Sequence, residues 1–231
     1  MIGPHRVLAV IPARGGSKGL IGKNIRQAKG RPLLAWTVDA ATASQYIDKV
    51  VVSSDDTAIM AVARDLGCDV PFRRPDDLAT DTASSIDVVL HAIDAVPGYE
   101  TIVLLQPTSP LRTASDIDAA CALHAGHSFA PCVSVSQAAQ SPYLMFDVAD
   151  DLSMRPLLVL PSADSRRQNL PTVYALNGAI YISDVGSLRI SRTFITSQTV
   201  AYVMPADRSI DIDTASDFDA FCATVNRESH A

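Results

Sequence analysis

The sequence predicts an α/β fold of the Rossmann-like type, in which helices flank a mostly parallel sheet and an arm is inserted in the second half. Three observations support this prediction. Short apolar runs alternate with helical patterns through the first 136 residues, and polar residues cluster directly after several of these runs. The alternation then breaks between about residues 137 and 177. A length of 231 residues suits one domain of this type, so we expect residues 1–231 to form a single domain.

The first predicted strand is the almost continuous apolar run from Arg6 to Pro12. Such a run is typical of a central parallel strand that is covered on both faces. A helical pattern follows between Leu33 and Ala41, and Pro32 precedes it at a position that suits the first turn of a helix. These two elements form the first strand-to-helix unit, and the segment between them is expected to be a loop.

The later elements repeat the alternation of strand and helix. The predicted strands cover residues 48–53, 68–72, 101–106, 132–136, 179–183 and 200–204, and the predicted helices cover 57–66, 84–96, 115–124 and 215–225. Asp55 or Asp56 suits the start of the second helix, and Gly67 suits its end. Strands that alternate with helices indicate a mostly parallel sheet, in which ligands bind beyond the carboxyl ends of the strands.

The segment from about 137 to 177 fits neither pattern. It contains several prolines and scattered Leu, Met, Phe and Tyr residues, so it is too broken for one long helix and too apolar for a simple linker. We interpret it as a dimerisation and substrate arm whose apolar side packs against the second subunit of a homodimer. A lid over a pocket is the alternative.

Composition and charge argue against several classes of protein. Hydrophobic residues make up 48% of the chain, which excludes a disordered protein, and no apolar run approaches the roughly 18 residues of a membrane helix. The net charge of −6 argues against a polybasic nucleic-acid surface. The four cysteines form no CxxC pair, so we expect free thiols in a reducing compartment and a cytoplasmic protein without nucleic-acid or membrane partners.

The loop Ala13–Asn24 follows the first strand directly and is rich in glycine and positive charge. Three cations lie in it: Arg14, Lys18 and Lys23. It also contains three glycines that bear on ligand binding: Gly15, Gly16 and Gly19. These glycines permit positive φ and let backbone amides approach a ligand closely. Asn24 stands where a Walker A motif requires Ser or Thr, so the loop predicts a polyphosphate cradle of another kind.

Two further polar loops follow later elements. The segment Arg74–Ser85 leads into a helix, and it suits either base and ribose recognition or mere capping of that helix. The segment Leu105–Arg112 follows a buried strand and is stiffened by two prolines. Its Gln106 is placed to point into a pocket at the end of that strand, although an ordinary rigid turn has the same pattern.

The segment Ser209–Thr214 alternates acidic and apolar residues. In an extended chain Asp211 and Asp213 project to one face, and Ile210 and Ile212 project to the other. Two adjacent carboxylates repel each other unless a cation bridges them, and Mg²⁺ favours one or two carboxylates together with phosphate oxygens. The pair therefore predicts a Mg²⁺ site that could also take Mn²⁺. The alternative for Asp213 is capping of the last helix.

Five segments in order resemble the N-acylneuraminate cytidylyltransferases, also called CMP-sialic acid synthetases. They are Ile11–Gly19 with Lys23 and Asn24, Asp81–Ser85, Leu105–Arg112, Asn177–Tyr181 and Ser209–Thr214. The resemblance implies one nucleotidyltransferase domain that transfers CMP from CTP to the 2-hydroxyl of a nine-carbon 2-keto-3-deoxy sugar acid and releases pyrophosphate. It also implies Mg²⁺ and a homodimer in which the arm of one subunit reaches the pocket of the other. The related Kdo cytidylyltransferases have a different first loop.

The resemblance also implies roles for individual residues. The nucleotide-binding set is Arg14, Gly15, Gly16, Ser17, Lys18, Lys23, Asn24, Arg74, Ala83 and Ser85. The sugar pocket is matched by Gln106 and Tyr181, and the metal ligands by Asp211 and Asp213. The expected catalytic residues are Lys23, Asp211 and Arg14. In the arm, Arg167 and Gln168 are further candidate contacts to the carboxylate or acyl groups of the substrate, with a solvated arm surface as the alternative.

Two alternatives for the function stay open. Some sialic acid enzymes carry arginine where this chain has Ala175, so a CMP-legionaminic acid synthetase, which acts on a 5,7-diamino relative, is one alternative. A non-catalytic nucleotide-binding protein on the same fold is the other. The retention of Lys23 together with Asp211 and Asp213 argues against this second alternative.

Overall fold

The computed structural model describes residues 1–16, 19–159 and 169–227. Its strands are Val7–Pro12 (β1), Gln27–Ala28 (β2), Arg31–Pro32 (β3), Lys49–Ser53 (β4), Thr101–Leu104 (β5), Cys132–Gln137 (β6), Phe146–Val148 (β7), Met154–Pro156 (β8), Tyr174–Asp184 (β9) and Val200–Val203 (β10). Its α-helices are Leu33–Thr42 (α1), Thr57–Asp65 (α2), Ser85–Ala95 (α3), Ala114–Gly126 (α4), Val185–Ser191 (α5) and Ala215–Arg227 (α6).

Six of the strands form one sheet in the order β10-β6-β9-β5-β1-β4. Strands β4, β1 and β5 are parallel to one another, and β6 is parallel to β10. Strand β9 runs antiparallel between β5 and β6, so five strands point one way and one points the other way. The predicted Rossmann-like, mostly parallel sheet is confirmed. Because β9 is reversed, its first residues lie beside the last residues of β6, at the carboxyl edge of the parallel strands.

Helices cover both faces of the sheet, which explains the continuous apolar run of the first strand. Ile11 of β1 belongs to a core cluster with α1, α2 and α4, whereas its neighbour Val10 belongs to a cluster with α3 and α5 on the other face. A third cluster joins α6 to α1 and contains Phe221 and Ile212. This three-layer core fixes the positions of the loops that leave β1, β4 and β5.

Some local predictions differ from the structure. The strand predicted at 68–72 is wrong, because only Asp69 pairs there, in an isolated bridge to Val51. The sequence pattern does not predict α5 or the β2–β3 hairpin, since elements of seven and two residues are too short to show a period. Strand β9 is longer than predicted, because it begins at Tyr174 and continues past Gly178, whose φ is +73°.

The ends of the second helix agree with the prediction. Asp56 caps α2, and its carboxylate accepts hydrogen bonds from the backbone N–H groups of Ala58 and Ile59 at 2.7 and 3.1 Å. Gly67 follows the helix with φ of +76°, a conformation that favours glycine. The loop between β4 and α2 is therefore held firmly at the same sheet edge as the glycine-rich loop.

The described part of the arm carries an exposed apolar surface. Strands β7 and β8 pair as an antiparallel hairpin that follows β6. Exposed side chains of the hairpin include Phe146, Val148 and Met154, and Leu157 and Val159 are exposed just after it. A cluster of exposed apolar side chains is typical of an interaction surface. Within the described ranges, every helix is too short or too polar to cross a membrane.

Candidate functional site

A cavity of about 580 Å³ opens where β1 and β5 end. It is lined by Pro12, Arg14, Gly19, Lys23, Asn24, Arg74, Leu78, Thr80, Asp81, Ala83, Ser85, Val88, Gln106, Pro107, Thr108 and Asp213. This position agrees with the rule that ligands of parallel sheets bind beyond the carboxyl ends of the strands. Four segments that are far apart in the sequence therefore meet at one cavity.

Arg14 lies on the wall of the cavity and forms an ion pair with Asp81. Its Nη1 atom is 2.6 Å from the carboxylate, and the two side chains are 31% and 38% exposed. The pair joins the glycine-rich loop to the loop that precedes α3. Because solvent screens a pair this exposed, it contributes about 1 kcal/mol or less. Arg14 can therefore exchange Asp81 for an anionic ligand at little cost.

Two glycines of the first loop, Gly15 and Gly19, serve close packing. A Cβ on Gly15 would lie 2.7 Å from a carboxylate oxygen of Asp56, and a Cβ on Gly19 would overlap the backbone oxygen of Asp213. The left-handed residue of the loop is Gly22, with φ of +64°. The positive φ that glycine permits is not used at Gly15, Gly16 or Gly19. Tight packing against neighbouring acidic residues is what requires Gly15 and Gly19.

Lys23 stands at the end of the loop and is held by the acidic segment. Its Nζ atom donates to the backbone oxygen of Ile212 at 2.7 Å and to the carboxylate of Asp213 at 3.1 Å. An ammonium group has three donors, so among the described residues one donor remains for a ligand. Asn24 is buried and donates through Nδ2 to the backbone oxygen of Arg14 at 3.0 Å. Asn24 thus fixes the backbone of Arg14.

The loop that precedes α3 forms a second wall of the cavity. Arg74 is buried, and its guanidinium donates to the hydroxyl of Ser53 at 3.0 Å and to the backbone oxygen of the same residue. Burial lowers the pKa of Arg74 to about 10, which leaves it charged at neutral pH. The helix is capped by Ser84, whose hydroxyl accepts a backbone N–H at 3.1 Å. Capping explains Ser84 only, whereas Ala83 and Ser85 line the cavity.

The loop that follows β5 is anchored by Arg112, which is buried. Its guanidinium donates to the backbone oxygen of Ala179 at 2.9 Å, to the hydroxyl of Thr37 at 2.8 Å and to the backbone oxygen of Gln106. Burial lowers the pKa of Arg112 to about 9. The side chain of Gln106 lies against Gly178, where a Cβ would be 2.9 Å from its Oε1 atom. Gln106 therefore has a fixed backbone and a side chain that lines the cavity.

A second cavity of about 250 Å³ adjoins the first and shares Ser85 and Gln106 with it. Its other lining residues are mostly apolar: Ile86, Leu104, Leu176, Tyr181, Thr193, Phe194 and Ile195. Burial raises the pKa of the Tyr181 hydroxyl, and the charge of Asp211 raises it further. The reversed strand β9 delivers Leu176 and Tyr181 to this place. The cleft therefore has a charged lobe and a smaller apolar lobe, joined at Gln106.

The acidic segment has the alternation that the sequence predicts. Ile212 is fully buried, whereas Asp211 and Asp213 are exposed. Burial by neighbouring atoms raises the pKa of Asp211, and the charge of Asp213 adds to this effect, while a hydrogen bond from Thr108 opposes it. The last helix is capped by Thr214, whose hydroxyl accepts a hydrogen bond from the backbone N–H of Asp217 at 3.3 Å. The capping alternative for Asp213 is therefore wrong.

The two carboxylates fit a cation that is shared with a ligand. Within the described ranges, no group of three or more His, Cys, Asp and Glu side chains could hold a metal ion. Burial and the charge of Asp213 both raise the pKa of Asp211, and a divalent cation beside Asp211 would oppose this shift. Mg²⁺ commonly takes one or two carboxylates and completes its shell with phosphate oxygens and water.

Several functional positions lie outside the sequence prediction or outside the described residues. The predicted site residues Ser17, Lys18, Arg167 and Gln168 are not among the described residues. The structure adds Asp81, Thr108 and Gly178 to the cleft. Each belongs to a segment that the sequence singles out. The sequence signal for Asp81 is a negative charge in a polar loop that is expected to lie near the basic glycine-rich loop. Gly178 gives no comparable signal, because its role depends on the antiparallel path of β9.

Comparisons with known proteins agree with this geometry. A family model described as cytidylyltransferase matches residues 8–146. The chain is 36% identical over 214 residues to an N-acylneuraminate cytidylyltransferase of Escherichia coli, a match that covers 93% of this chain and 51% of that protein. It is also 36% identical over 223 residues to a CMP-N,N'-diacetyllegionaminic acid synthase of Legionella pneumophila, which covers 92% of this chain and 93% of that protein.

The matches differ in how much of each relative they include. The chain spans about half the length of the Escherichia coli protein and nearly all of the Legionella protein. Among solved structures, a CMP:2-keto-3-deoxy-manno-octonic acid synthetase complexed with CTP is similar with a TM-score of 0.74, over 96% of this chain and 99% of that chain. At 17% identity this likeness shows the fold alone. The family-model match and the nearly full-length Legionella relative together show that the chain belongs to the cytidylyltransferase family.

Proposed function

We propose that the chain transfers CMP from CTP to the 2-hydroxyl of a nine-carbon 2-keto-3-deoxy sugar acid of the N-acylneuraminate type and releases pyrophosphate. The observation that carries this proposal is the two-lobed cleft. Its charged lobe contains Arg14 and Lys23, its apolar lobe contains Tyr181, and Gln106 lies between them. A triphosphate suits the first lobe and a sugar acid suits the second. The name of the Escherichia coli relative supports the same reaction.

The charged lobe is suited to a nucleoside triphosphate. Negative charge moves onto pyrophosphate as it leaves, and cations that are already in place stabilise that charge. Lys23 is oriented before a ligand arrives, since Ile212 and Asp213 hold its ammonium group. Arg14 exchanges its ion pair with Asp81 for a phosphate. The remaining nucleotide contacts in this proposal are Gly15, Gly16, Ser17, Lys18, Asn24, Arg74, Ala83 and Ser85.

The apolar lobe is suited to the sugar acid. In this proposal Gln106 and Tyr181 orient the sugar so that its 2-hydroxyl faces the α-phosphate. Asp211 has a raised pKa and lies next to Gly178 and Gln106, so it is placed to accept the proton of that hydroxyl. Arg167 and Gln168 of the arm are proposed to contact the carboxylate or acyl groups of the substrate.

Asp211 and Asp213 are proposed to hold Mg²⁺, for which Mn²⁺ can substitute. The ion would supply Lewis-acid stabilisation of charge on the phosphate oxygens. Lys23 would then stand beside the same carboxylates and neutralise the part of the triphosphate that the ion does not reach. This arrangement explains why Asp213 lines a cavity that is suited to an anion, with Asp211 close by at Gly178.

A legionaminic acid is a second candidate for the sugar. The Legionella relative, whose name specifies N,N'-diacetyllegionaminic acid, matches this chain over more than nine-tenths of both lengths. The lobe that contains Leu176, Phe194 and Ile195 is apolar, which suits additional acyl groups on the sugar. Both candidates require the same reaction at the 2-hydroxyl.

A homodimer and a cytoplasmic location belong to the same proposal. The exposed apolar side chains of the β7–β8 hairpin support dimerisation, because a partner subunit would remove them from water. Light scattering should give twice the mass of the chain, and a monomer at working concentration would contradict this part. The four free cysteines support a reducing compartment.

The test is pyrophosphate release with CTP and a panel of neuraminic, legionaminic, pseudaminic and Kdo acids. We expect release with a nine-carbon acid, loss of activity in EDTA and recovery with Mg²⁺ or Mn²⁺. Asp211→Asn should lose most of the turnover and keep most of the CTP affinity, because Lys23 and Arg14 still bind the phosphates. Asp94→Asn, which removes a surface carboxylate paired with Arg189, is the matched control. Full activity in EDTA or in Asp211→Asn would refute the metal assignment.

A further inference from the structure

Asp116, in the first turn of α4, is a buried carboxylate that is 1% exposed. Its Oδ1 atom accepts from the Tyr202 hydroxyl at 2.7 Å and from Nη2 of Arg208 at 2.6 Å. Its Oδ2 atom accepts from Nε of Arg208 at 3.1 Å and from the N–H and hydroxyl of Thr113 at 2.9 and 2.8 Å. Burial would raise the pKa of Asp116, but the hydrogen bonds from Arg208, Thr113 and Tyr202 bring it to about 2.

The Arg208–Asp116 pair connects the two segments that form the floor of the cleft. Helix α4 follows directly on the loop that carries Gln106, so Asp116 is fixed to that loop. Arg208 ends a short 3₁₀ turn and lies three residues before Asp211. Its two-pronged contact with one carboxylate specifies orientation as well as distance. The pair therefore fixes the acidic segment relative to the Gln106 loop.

The acidic segment has further contacts to the rest of the fold. The ammonium group of Lys23 donates to the backbone oxygen of Ile212 and to the carboxylate of Asp213, and the remaining contacts include neutral hydrogen bonds. The Ser209 hydroxyl accepts from Nδ2 of Asn177 at 3.0 Å. The N–H of Ile212 donates to the backbone oxygen of Thr108 at 2.8 Å. Neutral hydrogen bonds of this kind contribute about half as much as a charge-assisted pair. The contact between Arg208 and Asp116 is bidentate and its carboxylate is buried, so it specifies the orientation of the chain that leads to Asp211.

We propose that Arg208 and Asp116 are positioning residues for the two carboxylates of the acidic segment: their ion pair places Asp211 and Asp213 where a metal-bound triphosphate is received. Neither Arg208 nor Asp116 lines either cavity, so they act through the segment that they hold. The inference rests on the proposed function and extends it to residues outside the cleft. Residues that orient metal ligands typically change metal affinity or activity by about 10- to 100-fold when they are removed.

The experiment measures CTP binding by calorimetry with and without Mn²⁺, in the absence of sugar acid. The readout is the ratio of the two CTP affinities, which isolates the contribution of the metal. For Arg208→Gln we expect this ratio to fall by roughly 10-fold, while CTP affinity without metal stays within about twofold of the wild-type value. Arg208→Lys keeps the positive charge but loses the two-pronged geometry of arginine. Its affinity ratio should therefore lie between those of the wild-type protein and Arg208→Gln.

Three further variants separate positioning from general destabilisation. Arg189→Gln removes an arginine from a surface pair with Asp94 and should leave the ratio unchanged. Asp116→Asn keeps an acceptor for the cap of α4 and should lower the ratio as much as Arg208→Gln. The double variant should be no worse than either single variant, because both break one contact. If Arg208→Gln proves unstable, Arg208→Lys and Asp116→Asn still decide the question.

The outcomes distinguish this inference from the proposed function. If the wild-type protein binds CTP equally well with and without Mn²⁺, the metal assignment and the inference are both refuted. If Mn²⁺ strengthens CTP binding to the wild-type protein, and strengthens it equally in Arg208→Gln and Asp116→Asn, the inference is refuted and the proposed function is left intact. An equal loss of CTP affinity with and without metal would show a general structural role and would also refute it. If the metal ratio behaves as expected but no sugar acid is turned over, the inference holds and the proposed reaction fails.

Discussion

Replacement of Gly19 by alanine tests whether the glycine-rich loop and the acidic segment form one unit. A Cβ at this position would overlap the backbone oxygen of Asp213, and ordinary contact needs 3.4 Å or more. The loop or the acidic segment must therefore move by about 1 Å, since a backbone atom cannot rotate away as a side chain can. Such a shift separates the ammonium group of Lys23 from the carboxylate of Asp213 and the backbone oxygen of Ile212. Misplacement of about 1 Å can cost roughly 100-fold in rate, so we expect a loss of this order in Gly19→Ala.

The assay is steady-state pyrophosphate release at saturating CTP, combined with urea unfolding. Overpacking should also lower the free energy of unfolding by about 1–3 kcal/mol. Gly126→Ala is the matched control, because a Cβ there meets no atom within 4 Å and the residue ends α4 away from the cleft. Turnover of Gly19→Ala within threefold of the wild-type rate would refute the reasoning.

Three more predictions follow from the site and the core. Lys23→Ala should lower turnover by at least about 100-fold, since it removes a placed charge from the cleft; near-normal turnover of a folded variant would contradict this. Asp81→Asn should lower the KM for CTP by about two- to fivefold, because Arg14 then binds the nucleotide without first breaking an ion pair worth up to about 1 kcal/mol. A higher KM would instead indicate that Asp81 contacts the nucleotide. Burial lowers the pKa of His124 below its usual 6.5, so the unfolded chain binds a proton that the folded chain does not, and stability should rise with pH across the interval below 6.5. Urea unfolding from pH 5 to 7 should show this slope, and its persistence in His124→Gln would assign it to other groups.

The sequence predicts those parts of the fold that depend on local pattern. The apolar run of β1 predicts a strand covered on both faces, and Asp56 and Gly67 mark the ends of α2. Strand β9 is harder to predict, because Gly178 and a shift of register between Val133 and Val135 interrupt its pattern. Its reversed direction depends on long-range pairing, which no local pattern contains.

The site divides in the same way. The residue types and spacing identify the loops that meet at the cleft, because each polar cluster follows a strand that ends at the same sheet edge. The partners within the cleft depend instead on the path of the folded loops. Arg14 and Asp81 form an ion pair although they are 67 positions apart in the sequence. Gly19 packs against the backbone of Asp213, which lies near the other end of the chain. For this reason the sequence identifies the glycine-rich loop but does not predict that Gly15 and Gly19 are required for packing.

The position of β9 between β5 and β6 has a consequence for biogenesis. While the ribosome synthesises the first 137 residues, β4, β1 and β5 can pair, but β6 has no neighbour, because the strand that joins it to β5 is still to come. Two open strand edges persist until β9 inserts, and open edges favour aggregation. The same insertion brings Tyr181 and Gly178 to the cleft. The two parts of the sheet and the two lobes of the pocket are therefore joined in one late event, after which β10 and Asp213 are still to be added. Nascent chains shorter than about 184 residues lack this junction and expose strand edges that favour aggregation.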